Sequence, residues 1–339
     1  MPRAARRPPG GRAARAVQEP ALDRPDATRP IAAAVDLGSN SVHLLVSAIE
    51  RHRLDPLADE SVFLGLGDAV HDGGPLGAAG RAQLVSALTG YAATARGLGA
   101  TAIAFLGTEP IRQAADAARI VHEVGRATGE PLTVLSHEEE AYLTIIGVTG
   151  GQPVEHDTLV VDIGGGSSEF GLVGPARAAA AWGLRLGSAR LTARHAEHDP
   201  PSWEEVAAMA GEARMVLDPA PPAAPRNIVG VGGTASNLVK LLPEAMVDRT
   251  LTPGRLDAIQ RVLAAEPAEA AALRFGINPI RARLLPAGGA IVGAILERYG
   301  VDRMRVSDGS LREGAILAVH HAGASWRDRL ADLAHGWRG

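Results

Sequence analysis

The sequence predicts an α/β protein made of two similar halves, and two observations carry that prediction. An apolar strand that ends in aspartate and runs into a turn rich in glycine and serine occurs twice, as AVDLGSNS (34–41) and as LVVDIGGGSSE (159–169). Strand and helix patterns also alternate along both halves. The separation of the two copies is too long for a solenoid repeat and fits a duplicated domain.

The composition narrows the class of protein. A chain of 339 residues is long enough for two domains. The net charge of −4 gives no general affinity for nucleic acid, so any anion site must be local. The absence of cysteine excludes disulfides, thiolate-bound metals and thiol catalysis. No apolar run reaches ~18 residues and no apolar region follows the N-terminal arginines, so we expect a cytoplasmic protein without membrane contact.

The first half is expected to fold as a domain over 30–150, after an Arg/Ala/Pro-rich tail over 1–29 that predicts disorder. It opens with a hairpin, because two apolar strands are joined by a short polar turn. Periodicity and helix signals then place the remaining elements. The predicted strands are 31–35, 42–49, 62–66, 101–106 and 132–135, and the predicted helices are 79–98, 110–128 and 138–148.

The second half is expected to fold over 151–322, since GGQP at 150–153 breaks the chain. It repeats the opening hairpin, and its last helix is expected to pack back on the first domain. Residues 323–339 are predicted to be a second tail. The predicted strands are 158–163, 169–173, 227–231 and 303–307, and the predicted helices are 188–196, 202–216, a helix up to 242, one opening at 252–253, 280–299 and 310–321.

The two turns are candidates for binding phosphate. Glycine allows positive φ and lets an anion approach the backbone N–H groups, and the serine hydroxyls add donors. The alternative is that the glycines serve only the geometry of two tight hairpins. The recurrence of the device after a strand-ending aspartate favours phosphate. The candidate residues are Ser39, Asn40, Ser41, Gly164, Gly165, Gly166 and Ser167.

Asp36 and Asp162 end apolar strands, where an unpaired carboxylate is costly. A Mg²⁺ ion would offset that cost, because Mg²⁺ binds carboxylates together with phosphate oxygens. The alternative is that each aspartate caps its own turn. The residues favour the metal, and Glu169 is close enough in sequence to share it.

Two further positions carry charge near predicted helix starts. Glu140 is the last of three glutamates at 138–140, and on the residues alone the helix dipole explains them better than a catalytic role does. Arg112 lies in the first turn of the helix after FLGT, where it fits an anion ligand and an exposed side chain equally well.

GVGGTA at 230–235 formally matches a dinucleotide fingerprint, but no acidic residue ends a following strand, so NAD is not expected. Gly232, Gly233 and Thr234 stay candidates for a nucleotide base or distal phosphates. The only lysine, Lys240, lacks the glycine pattern of a P-loop.

Together these segments resemble the exopolyphosphatase and guanosine pentaphosphate phosphatase (Ppx/GppA) family over about residues 30–321. The resemblance rests on AVDLGSNSVHLLV, GTEPIRQA, EEEAYLTIIGV, VVDIGGGSSEFGLV, RLGSARLT, VGGTASNL and SDGSLREGAIL. It implies two actin-like (ribonuclease H-like) domains of the actin, sugar kinase and Hsp70 ATPase superfamily, with the ligand in the cleft between them.

The resemblance implies a Mg²⁺-dependent hydrolase that releases terminal phosphate from inorganic polyphosphate or from pppGpp. It implies that Glu140 orients the attacking water and that Arg112 binds phosphate. Asp36, Asp162 and Glu169 would hold the ion. A homodimer is also expected, because members of the family often dimerise.

The sequence departs from the family's pattern in two places. Glu109 beside Arg112 would oppose an anionic substrate, and a C-terminal helical domain found in longer members is not present in the sequence. The second departure favours short chains or nucleotides as substrate. The alternatives are an ATP-dependent kinase of the same fold and a non-catalytic sensor of alarmones or polyphosphate.

Overall fold

Two mixed sheets form the framework of the protein. The computed structural model describes residues 29–70 and 73–337. The first sheet has the order β3-β2-β1-β4-β5 and the second β10-β11-β9-β6-β7-β8. The strands are β1 Ile31–Leu37, β2 Ser41–Glu50, β3 Arg53–Phe63, β4 Ala102–Gly107, β5 Leu132–Val134, β6 Thr158–Ile163, β7 Ser168–Gly174, β8 Arg177–Leu184, β9 Asn227–Val231, β10 Thr250–Leu251 and β11 Met304–Val306.

The sheets share one topology, which is that of the predicted duplication. In each, three consecutive strands pair antiparallel and the first of them pairs parallel with a later strand, β1 with β4 and β6 with β9. The first sheet is built only from residues up to Val134 and the second only from Thr158 onward. The boundary predicted near 150 lies between them and stays a prediction.

Fourteen α-helices in the described residues cover the sheets. They are α1 Leu66–Ala69, α2 Gly77–Gly97, α3 Glu109–Gln113, α4 Ala117–Thr128, α5 His137–Thr149, α6 Ser188–His195, α7 Trp203–Leu217, α8 Gly232–Leu238, α9 Pro243–Asp248, α10 Pro253–Ala264, α11 Ala268–Phe275, α12 Pro279–Tyr299, α13 Leu311–Ala322 and α14 Leu330–His335.

The single helix predicted over 110–128 is wrong, because the chain breaks between α3 and α4. Ala114 has extended backbone dihedrals. Asp116 accepts a hydrogen bond from the backbone N–H of Leu76 (2.8 Å) and pairs with Arg81. This contact with a segment distant in sequence stabilises the interruption between α3 and α4. No local sequence pattern indicates the contact. Strands β8 and β10 and helix α11 were likewise not predicted.

The most consequential packing is an exchange of helices between the halves. Helix α5 belongs to the first half by sequence but packs on β7 and β8 of the second sheet. Helix α13 comes from the second half and packs on β1 and β2 of the first. The two helices also pack on each other, and Leu143, Ile146 and Ala315 are fully buried between the sheets.

The two exchanged helices approach so closely because glycines lie at their crossing. A Cβ on Gly147 of α5 would overlap the carbonyl oxygen of Ser310, the residue before α13. A Cβ on Gly314 of α13 would overlap the carbonyl oxygen of Leu143. The contact is therefore backbone against backbone, which fixes the relation of the two halves.

The C-terminal segment predicted as a tail over 323–339 is ordered structure through residue 337. Leu330 and Leu333 of α14 are 3% and 2% exposed, and this helix packs on α5 and β8. Trp337 stacks on His321 and covers Gly151. The tail predicted over 1–29 lies outside the described residues except for Arg29.

Of the described helices, α12 alone is long and apolar enough to cross a membrane by length and composition. Two thirds (67%) of its most apolar stretch is buried inside the fold. Its side chains Ile291, Val292 and Ile295 are fully buried in the core of the second half. This is the environment of a core helix.

Gly314→Ala should lower the free energy of unfolding by about 2 kcal/mol or more, because the new methyl group must push apart two backbones in a packed core. Urea denaturation followed by circular dichroism measures the change. Gly211→Ala in α7 is the matched control, since a Cβ there meets open space. It should raise stability by up to ~1 kcal/mol through helix propensity. Equal effects of the two substitutions would contradict the proposed role of the crossing.

Candidate active site

A cleft of about 970 Å³ lies between the two sheets. The β1–β2 turn, the β6–β7 turn, and the first turns of α5 and α8 all reach it. Among the described residues, Arg112 is the single predicted site residue outside its lining. The predicted residues that line it are Asp36, Ser39, Asn40, Ser41, Glu140, Asp162, Gly164, Gly165, Gly166, Ser167, Glu169, Gly232, Gly233 and Thr234.

The two turns have the same internal geometry. The N–H of Gly38 donates to the carbonyl of Ser41 (3.2 Å), and the N–H of Gly164 donates to the carbonyl of Ser167 (3.0 Å). Each bond closes a four-residue turn whose tip faces the cleft. The two tips thus offer small or hydroxyl-bearing residues to an anion from both sides.

Strand register brings the two aspartates to equivalent places at the ends of their strands. Asp36 on β1 lies opposite His43 on β2, and Asp162 on β6 lies opposite Glu169 on β7. The duplication is therefore exact in backbone position but not in chemistry. The second half places two carboxylates where the first half places a carboxylate and an imidazole.

Gly232 completes the surroundings of Asp162. Its φ is +81°, a left-handed conformation that favours glycine, and a Cβ there would overlap the Asp162 carboxylate. The start of α8 can therefore lie directly against the aspartate. The glycines of the GVGGTA segment thus allow the backbone to lie close to a carboxylate. The segment lacks the acidic residue after the next strand that a dinucleotide site needs.

The surroundings of four of the carboxylates that line the cleft disfavour ionisation. Burial, together with the charge of Asp162, raises the pKa of Asp36 to about 7. Burial raises the pKa of Asp162 to about 6. Burial and then Asp162 raise the pKa of Glu169 to about 8. Burial and then Glu169 raise the pKa of Glu140 above its ordinary value, against the opposing charge of Arg112.

These carboxylates have the chemistry of a cation site. Asp36 Oδ1 is buried and has no hydrogen-bond partner among the described residues. Possible ligand atoms of His137, Glu140 and Glu169 lie within 4.8 Å of one another. Of the predicted metal ligands, only Glu169 belongs to this group of described residues, although the charge of Asp162 contributes to the raised pKa of both Asp36 and Glu169, so these three carboxylates lie near one another. Carboxylate oxygens are preferred ligands of Mg²⁺, and the ion at Asp36, Asp162 and Glu169 stays a prediction.

Glu140 is positioned by the start of α5. Ser136 and Glu139 form a capping box that fixes where the helix begins, and Gly150 ends it in a left-handed conformation. Glu140 is 6% exposed and points from the first helical turn into the cleft. Its Oε1 accepts a hydrogen bond from Arg112 Nη1 at 2.6 Å.

Arg112 lies behind Glu140. Besides Glu140, its guanidinium donates to the carbonyl of Leu135 (2.5 Å) and contacts His137 Nδ1 (3.1 Å). In this arrangement Arg112 orients the glutamate. Its role as a phosphate ligand stays a prediction.

The carboxylate of Glu109 has hydrogen-bond partners that compensate its charge. It is 8% exposed and accepts hydrogen bonds from Gln113 (2.7 Å) and from Arg190 on the opposite half (3.3 Å). The expected opposition to an anionic substrate is therefore reduced by an arginine that the sequence analysis did not single out.

Sequence reasoning missed several residues of the site. The ring nitrogen Nδ1 of His137 is hydrogen-bonded to Oε1 of Glu169 (2.8 Å), and this contact connects α5 to the second sheet. Three cations also line the cleft, namely Lys240, Arg281 and Arg312. The motifs RLGSARLT and SDGSLREGAIL contain Arg190 and Arg312. These motifs therefore contained the relevant residues, although no spacing rule indicates that Arg312 lines the cleft or that Arg190 pairs with Glu109.

Comparison with known proteins finds relatives of this chain. The sequence model of the Ppx/GppA phosphatase family matches residues 45–322. Exopolyphosphatase 2 of Mycobacterium tuberculosis is 29% identical over 317 residues, covering 85% of this chain and 98% of that protein. The guanosine-5'-triphosphate,3'-diphosphate pyrophosphatase of Vibrio cholerae is 29% identical over 297 residues, covering 86% of this chain and 59% of that protein.

Solved structures show the same architecture. The Aquifex aeolicus member of the Ppx/GppA family superposes with a TM-score of 0.77 at 26% identity, covering 87% of this chain and 99% of that one. An exopolyphosphatase from Cytophaga hutchinsonii superposes with a TM-score of 0.76 at 21% identity, covering 87% of this chain and 99% of that one. The two actin-like domains predicted from the sequence are confirmed as the fold.

The metal-free protein should lose stability as pH rises from about 4 to 8. The folded state holds protons on Asp36, Asp162 and Glu169 at pH values where the unfolded state has released them, so the free energy of unfolding falls with pH. Urea denaturation in EDTA at several pH values measures the slope.

Replacing Asp36 by Asn should flatten that slope, whereas Asp257→Asn on the exposed face of α10 should leave it unchanged. Adding Mg²⁺ above pH 7 should raise the stability of the unsubstituted protein, because ion binding favours the ionised carboxylates. A slope that is flat without metal would contradict the charge distribution described here.

Proposed function

The chain belongs to the Ppx/GppA phosphatase family, and from that premise we propose that it releases terminal orthophosphate from inorganic polyphosphate, from pppGpp or from both. The observation that carries the proposal is the convergence of two matched glycine turns and Glu140 on one cleft. A phosphoanhydride chain presents regularly spaced anions, and such turns bind anions through backbone N–H groups.

In the proposed reaction the oxygen of a water molecule forms a bond to the terminal phosphorus. The bridging P–O bond breaks, and the shortened chain leaves with the bridging oxygen. Glu140 accepts the proton of the water as general base. In its ionised form, a carboxylate whose pKa is raised by burial and by Glu169 binds a proton more strongly than an exposed one does. Arg112 holds it in place through the 2.6 Å contact.

The phosphate groups are bound by the two turns. The N–H groups and hydroxyls at Ser39–Ser41 and at 164–167 approach from opposite halves, and the start of α8 adds Gly233 and Thr234. This arrangement surrounds charge with donors that are already in position, which is the main source of catalysis in phosphoryl transfer.

We propose that Asp36, Asp162 and Glu169 hold Mg²⁺. When bound, the ion would neutralise charge on the transferred phosphoryl group. Asp36 Oδ1, which lacks a hydrogen-bond partner among the described residues, supports this assignment. A cytoplasmic location and a homodimer stay predictions.

The relatives do not decide between the two substrates, since one is named for polyphosphate and another for a guanosine nucleotide. The chain spans nearly all of the mycobacterial exopolyphosphatase but 59% of the Vibrio protein. The sensor alternative loses its main support, since Glu109 is paired with Arg190.

Glu140→Gln should reduce the rate of phosphate release at least ~100-fold, which is a typical contribution of general base catalysis. The amide keeps the size of the side chain but accepts no proton. Initial rates at saturating substrate measure the effect. Glu138→Gln, an exposed neighbour on the same helix, is the matched control and should retain activity. Undiminished turnover of the Glu140 variant would remove Glu140 from the mechanism.

Phosphate release should be measured with short-chain polyphosphate, pppGpp and ATP side by side, with Mg²⁺ and with EDTA. We expect release from polyphosphate, little from ATP, and none in EDTA, because the cleft carboxylates then lack their counterion. Phosphate release in EDTA would contradict the metal assignment. A folded protein silent on all three substrates with Mg²⁺ would overturn the proposed activity.

A further inference from the structure

The C-terminal segment, residues 323–337, contacts α5 at both of its ends. It follows residue 322, where the match to the family's sequence model ends. Arg327 bonds the first turn of α5, and α14 packs on the helix itself. Trp337 then donates its backbone N–H to the carbonyl of Gly151, just after α5 ends (2.8 Å). The segment is therefore a support for the helix that carries Glu140.

Arg327 makes the contacts at the start of α5. Its guanidinium pairs with both carboxylate oxygens of Glu139, through Nε with Oε1 and through Nη2 with Oε2 (2.9 Å). Nη2 also donates to the carbonyl of Val134, the last residue of β5 (3.0 Å). One side chain thus joins the end of the strand to the first turn of the helix.

The arrangement matches that of the arginine already described at this junction. Arg112 donates to the carbonyl of Leu135 (2.5 Å) and to Glu140 (2.6 Å). Arg327 makes the equivalent pair of contacts one residue earlier, with a carbonyl of the same connection and with Glu139. Two arginines from distant parts of the chain therefore hold one short connection and the two consecutive glutamates that follow it.

Glu139 transmits the contact with Arg327 to the backbone of the helix. Its Oε2 accepts a hydrogen bond from the N–H of Ser136 (2.8 Å), and its own N–H donates to Ser136 Oγ (3.2 Å). These are the two bonds of the capping box. The N–H of Glu140 in turn donates to the carbonyl of Ser136 (3.0 Å). A displacement of the capping box would therefore displace Glu140.

The ion pair is too exposed to be important for the stability of the fold. The side chains of Arg327 and Glu139 are 47% and 19% exposed. Ion pairs that are open to water in this way add little to stability, because solvent screens them. The rate of a reaction is far more sensitive than stability to a small displacement of a catalytic group. The pair should therefore matter more for catalysis than for folding.

We propose that Arg327 is a positioning residue, which fixes Glu140 in the cleft by holding Glu139 and the carbonyl of Val134. This inference rests on the proposed function and gives the C-terminal segment a part in it. Arg112 holds the carboxylate of Glu140 directly, whereas Arg327 holds the helical turn from which that carboxylate projects. Without Arg327 the first turn of α5 loosens, and Glu140 leaves the position in which it accepts the proton of water.

Arg327→Ala in the full-length protein should lower kcat for phosphate release from short-chain polyphosphate by about 10-fold, since a misplaced general base is costly in rate. KM should stay nearly unchanged, because the phosphate groups bind at the two turns. Arg214→Ala is the matched control, since Arg214 pairs with Glu297 (2.7 Å) at an exposed site between α7 and α12. It should retain kcat. Thermal unfolding should show that both variants are folded.

Chemical rescue separates positioning from a general loosening of the fold. Guanidinium chloride at a concentration that does not denature the protein should restore part of the kcat of Arg327→Ala, whereas sodium chloride at the same concentration should not. Arg327→Lys should have an intermediate kcat, because an ammonium group keeps the charge but lacks the planar fork of donors. If Arg327→Ala does not fold, Glu139→Gln tests the same contact, since glutamine still serves a capping box but carries no charge.

Hydrogen exchange measured by mass spectrometry follows the contact without reference to activity. The first turn of α5 should exchange faster in Arg327→Ala than in the unsubstituted protein, and Arg214→Ala should leave its exchange unchanged. Faster exchange together with a lower kcat that guanidinium restores supports the positioning role.

Three other outcomes would overturn a proposal. Faster exchange with an unchanged kcat would show that the contact holds the helix but does not serve the reaction. A lower kcat that guanidinium does not restore, together with a lower unfolding temperature, would make Arg327 a merely structural residue. Absence of phosphate release by the unsubstituted protein would overturn the proposed function itself, and the part of Arg327 in it.

Discussion

The close crossing of α5 and α13 is the contact on which the rest of the structure depends. Each of these helices leaves its own half and covers the sheet of the other, and glycines at 147 and 314 let their backbones touch. Since packed interiors are nearly incompressible, this contact sets the distance between the sheets. It also positions residues of the cleft, because Glu140 lies in the first turn of α5 and Arg312 lies in the first turn of α13.

The cleft contains buried carboxylates, and burial makes their ionised form unfavourable. Four of the carboxylates that line it, Asp36, Glu140, Asp162 and Glu169, have a pKa raised mainly by burial. Such shifts cluster at sites where an ion or a proton is to be exchanged. Arg112 and Ser167 offset part of the cost for Glu140 and Glu169, whereas an oxygen of Asp36 stays without a partner in the described part of the chain. The unpartnered oxygen of Asp36 and the raised pKa values are the observations on which the proposed Mg²⁺ site rests.

The two turns are equivalent in backbone position, but their surroundings differ between the halves. The position opposite the strand-ending aspartate is His43 in the first half and Glu169 in the second. Burial lowers the pKa of His43 to about 4, so it stays neutral. The second turn contacts the opposite half through Glu109, which lies against Gly166, and the adjoining strand β7 does so through His137, which is hydrogen-bonded to Glu169.

The sequence by itself determined the strand-turn-strand units, their duplication, and the residues at the two turns. These follow from local rules, because alternation, glycine and a strand-ending carboxylate act over a few neighbouring residues. Only the tertiary structure decided the break at Ala114, the strand β8, and the packing of residues 330–337. It also decided that Arg112 lies behind Glu140 and that Arg190 meets Glu109. Each of these features depends on contacts between segments that are far apart in the chain. No local sequence pattern indicates which segments meet, so the contacts can be identified only in the folded protein.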